Sequence, residues 1–268
     1  MPGEKRGLIG LLQAVLLVVF IGVWEIASRL HWLDPFFFSQ PSIFGARAVR
    51  WLTEPGLLLG GHGIYHHLLV TMEEMIGGFI LGVIFGVACG FVLGRSQFWS
   101  AVLNPYIQVL NALPRLVLAP IFVLLLGIDE RSKIALAFSL VFFIVFFNAY
   151  RGVRDVDRNI LNNARMLGAS ESQLAWHVLL PSAMTWILSS LHTSVGFALV
   201  GAVVGEYLAA AQGLGWIINQ AQGNFDSAGV YAGMLILCAV VVVVEMGVTR
   251  LERRLIRWKD AENVQFYP

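Results

Sequence analysis

Several stretches of this chain carry no charged side chain for fifteen residues or more, among them 8–24, 75–94, 134–150, 182–205 and 227–244. Crossing a hydrocarbon layer of ~30 Å takes ~20 apolar residues in a helix that rises ~1.5 Å per residue. In lipid the backbone polar groups have to be satisfied inside the segment, so such runs are helices. The composition agrees. Apolar residues make up 57% of the 268 and charged residues 13%, with a mean hydropathy of +0.74, whereas soluble domains are about 25% charged. An ordinary soluble enzyme and a disordered chain are both excluded. The net charge of +1 supplies no basic field for nucleic acid. The chain reads as an all-α, polytopic membrane protein, with apolar residues for at most about seven spans.

Six spans can be drawn, over residues 7–27, 64–93, 99–126, 133–150, 182–210 and 230–250. The first follows Lys5 and Arg6 but is not trailed by a small-residue cleavage site, so it reads as a retained span rather than a signal peptide. Basic residues orient the bundle. With the N-terminus inside, inner segments hold twelve Lys and Arg, outer segments hold five, and Arg115 falls within a span. Both termini are therefore expected in the cytoplasm. Residues 34–63 then lie outside, broken by Pro35, Pro41 and Pro55. Cys89 and Cys238 sit in apolar runs and read as small buried hydrophobes.

The longest inner loop, residues 151–181, has helical signals of its own. Asp157 suits an N-cap, and Ile160, Leu161, Ala164 and Leu167 fall on one helical face. Gly168 fits the left-handed position that ends a helix, and Ser170-Glu171-Ser172-Gln173 spells a capping box for a second helix. Pro181 opens the next span. This predicts a helix–Gly–helix hairpin with an apolar stripe. The stripe either packs on the protein's own spans or docks a soluble partner, helix in groove.

The same residues resemble the "EAA" loop of binding-protein-dependent ABC importer permeases, E-A-A-x3-G-x9-I-x-L-P. Gly168 and Val178-Leu179-Leu180-Pro181 hold their places and Ala164 holds the third letter, while Asn162 and Asn163 replace the Glu and the first Ala. Three further stretches look like the sulfonate/taurine/nitrate branch of that family: the run from Asn111 through Pro114 and Arg115 to Pro120 with Gly127-Ile128, the run Gly201 to Tyr207, and Gly213-Leu214-Gly215. Gly168-Ala169-Ser170 is also typical of it. The resemblance covers residues 60–258, leaving 1–59 as an N-terminal span with its outer segment and 259–268 as a cytoplasmic tail. It implies the type I (MetI-like) permease fold and a coupling site formed by Asn162, Asn163, Ala164, Leu167, Gly168, Ala169, Ser170, Leu180 and Pro181. The partners it implies are a cytoplasmic ABC ATPase, an extracytoplasmic solute-binding protein and a second permease copy. No G-x4-G-K-[ST] phosphate loop is present, so ATP and Mg belong to the ATPase and this chain carries no cofactor of its own. Relatives of this kind carry sulfonates, taurine, nitrate, bicarbonate, and pyrimidine or aromatic compounds; a small anion is expected here.

Polar groups inside spans are costly and suggest function. Arg115 sits between Pro114 and Pro120, one turn after Asn111. It either bonds carbonyls freed by the prolines, pairs with Glu206 or Glu245, or lines a translocation path that favours anions together with Asn111, Pro114 and Glu206. Glu73 and Glu74 read as interfacial, and Glu25 as held by snorkelling or a local hydrogen bond. Trp24, Trp32, Phe36–Phe38 and Trp258 suit interfacial belts. Gly78, Gly82, Gly86, Gly90 and Gly94 recur every fourth residue and predict close helix packing, or else a sliding surface. His66 and His67 point about 100° apart on a helix and make a poor metal pair. An ion-gradient-driven secondary transporter is the rival reading; it calls for internal repeats with matching broken helices, and only one span is Pro-interrupted.

Overall fold

The structure, a computed structural model, describes residues 3–54 and 63–255. Pro55, the 59/60 boundary, Trp258 and the tail 259–268 lie outside the described residues. Among the described residues the elements are helices: α1 (Gly3–Arg29), α2 (Pro35–Phe38), α3 (Pro41–Thr53), α4 (Ile64–Arg95), α5 (Gln97–Ala112), α6 (Ala119–Leu126), α7 (Glu130–Arg154), α8 (Arg158–Met166), α9 (Glu171–Leu174), α10 (Leu180–Ala209), α11 (Leu214–Gly223) and α12 (Ser227–Leu255). Among the described residues five helical runs are long and apolar enough to cross a membrane, and six if the bent pair α5–α6 counts as one.

The chain divides into two compact units. The first holds the residues up to His67 and Ile217–Cys238. Its α1 is apolar all round, with exposed side chains from Leu8 to Ile21, as a lipid-facing span requires. Pro35 and Pro41 each start a short helix, where a missing N–H costs nothing. Glu25 reaches from α1 to the first turn of α3, accepting from the Ser42 N–H (3.0 Å) and hydroxyl (2.8 Å). Trp24 packs against Phe44 and Tyr231 with ring centroids 5.6 and 5.4 Å away, and Arg47 pairs with Asp226.

The second unit holds Leu68–Trp216 and the chain from Ala239. The glycine ladder of α4 lies flat against α7. A Cβ at Gly82 would lie 2.6 Å from the Val141 Cβ, one at Gly86 2.9 Å from the Val145 Cβ, and one at Gly94 2.8 Å from the Val153 Cβ. Close approach of two spans is what the four-residue repeat predicts. On its other side α7 packs along α10, with Ala149 and Val153 in a cluster with Ala183 and Ile187.

The Pro-interrupted third span is sharply bent: α5 and α6 meet at 84° across Leu113, Pro114 and the 3-10 turn Arg115–Leu118. Leu113 is extended (ψ 132°) because the ring of Pro114 disfavours helical geometry in the residue before it. Cys89 and Cys238 are exposed, not buried. A lipid-facing exterior is as apolar as the interior, so hydrophobic context does not separate the two.

Candidate functional site

The hairpin forms as its punctuation predicts. The Asp157 carboxylate accepts from the Asn159 N–H at 2.8 Å and starts α8. At its end Gly168 takes φ +86°, and the N–H groups of Gly168 and Ala169 return to the carbonyls of Arg165 (2.9 Å) and Ala164 (3.1 Å). That double return satisfies two orphaned carbonyls and turns the chain sharply. Ser170 and Gln173 complete the capping box of α9: the Ser170 hydroxyl accepts from the Gln173 N–H, and the Gln173 side chain accepts from the Ser170 N–H (2.8 Å). An Arg165–Glu171 ion pair of 3.1 Å ties the two helices.

The second helix then runs directly into α10 through a π turn, Ala175–Leu179, rather than ending before Pro181. Pro181 cannot donate to the carbonyl four residues back, and the wider turn absorbs the mismatch. Leu180 is half-buried and Pro181 exposed at the base of this continuous rod.

The apolar stripe splits by depth. Leu174 is buried, and Leu161, Ala164 and Leu179 are half-buried against the unit. Ile160, Met166 and Leu167 point outward, Leu167 being 89% exposed, and Asn162 and Asn163 are exposed beside them. No residue of α8 is buried. Met166 and Trp176 are also largely exposed; neither was singled out from the sequence, although each is a large apolar residue in a polar loop.

The bend of the third span brings Asn111, Pro114 and Arg115 together. Arg115 donates to the Asn111 side chain and to the Asn111 carbonyl (3.4 Å), and its guanidinium lies 4.8 Å from the Phe143 ring centroid. Its partner is therefore not Glu206 or Glu245. Glu245 meets His192 at 3.1 Å.

Glu206 lies apart from this group and is fully buried. It accepts from the Thr71 hydroxyl (2.6 Å) and the Gly215 N–H (2.7 Å), while Thr71 also accepts from the Leu214 N–H (3.0 Å). The carboxylate thus caps the start of α11 and ties it to α4 and α10. Glu74 and Lys133 are buried next to it, each only 2% exposed. Glu73, one residue earlier, is exposed, so the interfacial reading fits Glu73 and not Glu74. Gly213, at φ +106°, leaves the room this carboxylate fills. Among the described residues no group of His, Cys, Asp and Glu is arranged to hold a metal.

Residues 78–257 match the family described as "Binding-protein-dependent transport system inner membrane component". The chain belongs to this family. Full-length relatives agree. The permease is 32% identical to the putative aliphatic sulfonates transport permease protein SsuC of Bacillus subtilis (strain 168), over 97% of this chain and 91% of that one. It is 29% identical to the taurine transport system permease protein TauC of Escherichia coli (strain K12), over 90% and 87%. Among solved structures, a chain of the inward-facing MetNI methionine ABC transporter superposes with a TM-score of 0.59 at 17% identity, covering 75% of the permease and 98% of that chain. An amino acid ABC transporter chain gives 0.58 at 18%, over 72% and 92%. At that identity the likeness shows a shared fold. The permease is an all-helical, multi-pass membrane protein of this type.

Proposed function

We propose that the permease forms the path for a small anionic solute in an ATP-driven importer, receiving it from an extracytoplasmic binding protein. The observation that carries this reading is the hairpin tip, where Ile160, Met166 and Leu167 stand exposed on a helix with no buried residue. Apolar side chains on a polar, capped loop are explained by a groove on a partner. In this reading that partner is the cytoplasmic ATPase, which binds ATP and Mg. Asn162, Asn163, Ala164 and Leu167 meet it, the Gly168-Ala169-Ser170 turn holds their angle, and Leu180 and Pro181 pass the motion into α10. The unbroken helical path from α9 through the π turn to α10 supports such a lever. Two ATPases need two hairpins, which a homodimer supplies. Both termini then lie in the cytoplasm.

ATP binding would close the two ATPases, pull each hairpin and turn the path from outward- to inward-facing, with the loaded receptor favouring the closed state. Asn111, Pro114 and Arg115 line the path, and Glu206 positions α11 rather than touching solute. The relatives' names include aliphatic sulfonates and taurine; both bear a sulfonate, which suits the charge of Arg115. Family membership favours this over the ion-gradient reading.

The test is uptake of labelled taurine or an alkanesulfonate into vesicles holding permease, ATPase and binding protein. ATP-dependent uptake that Arg115→Ala lowers at least tenfold, with ATPase binding intact, is expected. Uptake driven by an ion gradient without the ATPase would overturn the reading.

A further inference from the structure

Two cavities take lining residues from the corner where α4 gives way to α5. The first is an apolar groove of about 620 Å³ between α4, α5 and α7, lined by residues that include Cys89, Val92, Leu103, Leu110, Phe142 and Phe146. Ser96 and Trp99 lie at its hairpin end, interleaved in sequence with Arg95 and Gln97, which line the second cavity. That second cavity, about 410 Å³, lies between the same corner and the hairpin, and holds Arg95, Arg154, Arg158 and Arg165 against one carboxylate, Glu171.

The charges do not balance. Arg165 takes the Glu171 carboxylate. Arg154 donates to the hydroxyls of Ser100 (2.7 Å) and Tyr150 (2.8 Å), which are neutral, and Ser100 is itself 4% exposed. Arg95 lies over the Phe91 ring, 5.9 Å from its centroid, and reaches only the Glu171 carbonyl (3.5 Å). Among the described residues Arg95, Arg154 and Arg158 have no carboxylate within ion-pair distance. Unneutralised guanidinium groups therefore line a cavity that shares a stretch of chain with the apolar groove, and Arg95 is the last residue of the apolar helix α4.

We propose that this composite site binds an anionic phospholipid, with the headgroup phosphate at Arg95 and Arg154 and an acyl chain in the groove. Guanidinium forks match phosphate oxygens, and basic pockets between spans at the inner surface select acidic headgroups. Acyl chains already reside in hydrocarbon, so the groove supplies shape and the arginines supply preference. Because the hairpin walls the polar cavity, the bound lipid braces the hairpin against the spans.

The test uses the assembled full-length transporter in nanodiscs of equal phosphatidylglycerol and phosphatidylcholine, followed by native mass spectrometry of retained lipid. Phosphatidylglycerol is expected to be enriched at least fivefold over bulk, and Arg95→Gln with Arg154→Gln returns it to the bulk ratio. Val92→Trp, which fills the groove and leaves the arginines in place, abolishes retention as well. Retention without headgroup preference, or an unchanged preference in both variants, overturns the proposal. Competition by inorganic phosphate that is as strong in Val92→Trp as in wild type would show a free-anion site instead. Oxidative cross-linking of Cys89 between two copies would show the groove filled by a second chain. Either result also overturns it.

Discussion

Helix α7 and helix α8 are separated by a short turn and live in opposite surroundings. Along α7 the glycines of α4 close one side and α10 closes the other, with Ala137, Val141, Val145 and Ala149 fully buried. On α8 no residue is fully buried: Leu161 and Ala164 are half-buried, and the Asp157 cap and the Gly168 turn fix its ends. The contrast separates two kinds of sequence constraint. Residues of α7 are held by the volume around them, whereas outward residues of α8 are free of the fold and, in the proposed function, meet the ATPase. Mutations should therefore act on stability in the first region and on assembly in the second.

The strongest way to break this comparison is Gly82→Leu. Its Cβ would lie 2.6 Å from that of Val141, so α4 and α7 must separate, at a cost of about 3 kcal/mol or more. Loss of the monodisperse protein in detergent chromatography is expected. Gly22→Leu on α1, where nothing lies within 4 Å, should stay within about 0.5 kcal/mol. Next in size is Thr71→Val, which leaves the Leu214 N–H buried without an acceptor and removes one donor from Glu206. About 2 kcal/mol of destabilisation is expected in thermal unfolding. Ser170→Ala removes the cap of α9 and should cost about 1 kcal/mol, sharpening the view that the hairpin is held by punctuation. Smallest in stability is Leu167→Asp, at 89% exposure, with a change within about 0.5 kcal/mol.

Where local chemistry decides, the sequence was readable. Asp157, Gly168 and the Ser170–Gln173 box act within a few residues, and each took its expected place. The glycine ladder pointed to close packing or a sliding surface, and the approach of α4 to α7 at Gly82, Gly86 and Gly94 shows the packing. What depends on the partner surface was hidden. Glu73 and Glu74 differ by one position, and only the placement of Thr71, Glu206 and α11 decides that the second is buried. The prolines at 114 and 120 marked a disturbance in the third span but not an 84° bend, whose size depends on the 3-10 turn between them. Glu206 was grouped with Asn111, Pro114 and Arg115 in sequence, and its bonds to Thr71 and to the Gly215 N–H could be found only from the folded chain.

The central claim is that the exposed hairpin tip is what the ATPase grips. Its most direct measurement is co-purification of the ATPase with Leu167→Asp permease, compared with wild type at equal permease and matched melting temperature. The account predicts at least a tenfold loss of bound ATPase from a permease that is otherwise intact. Full retention of the ATPase by that variant would contradict it.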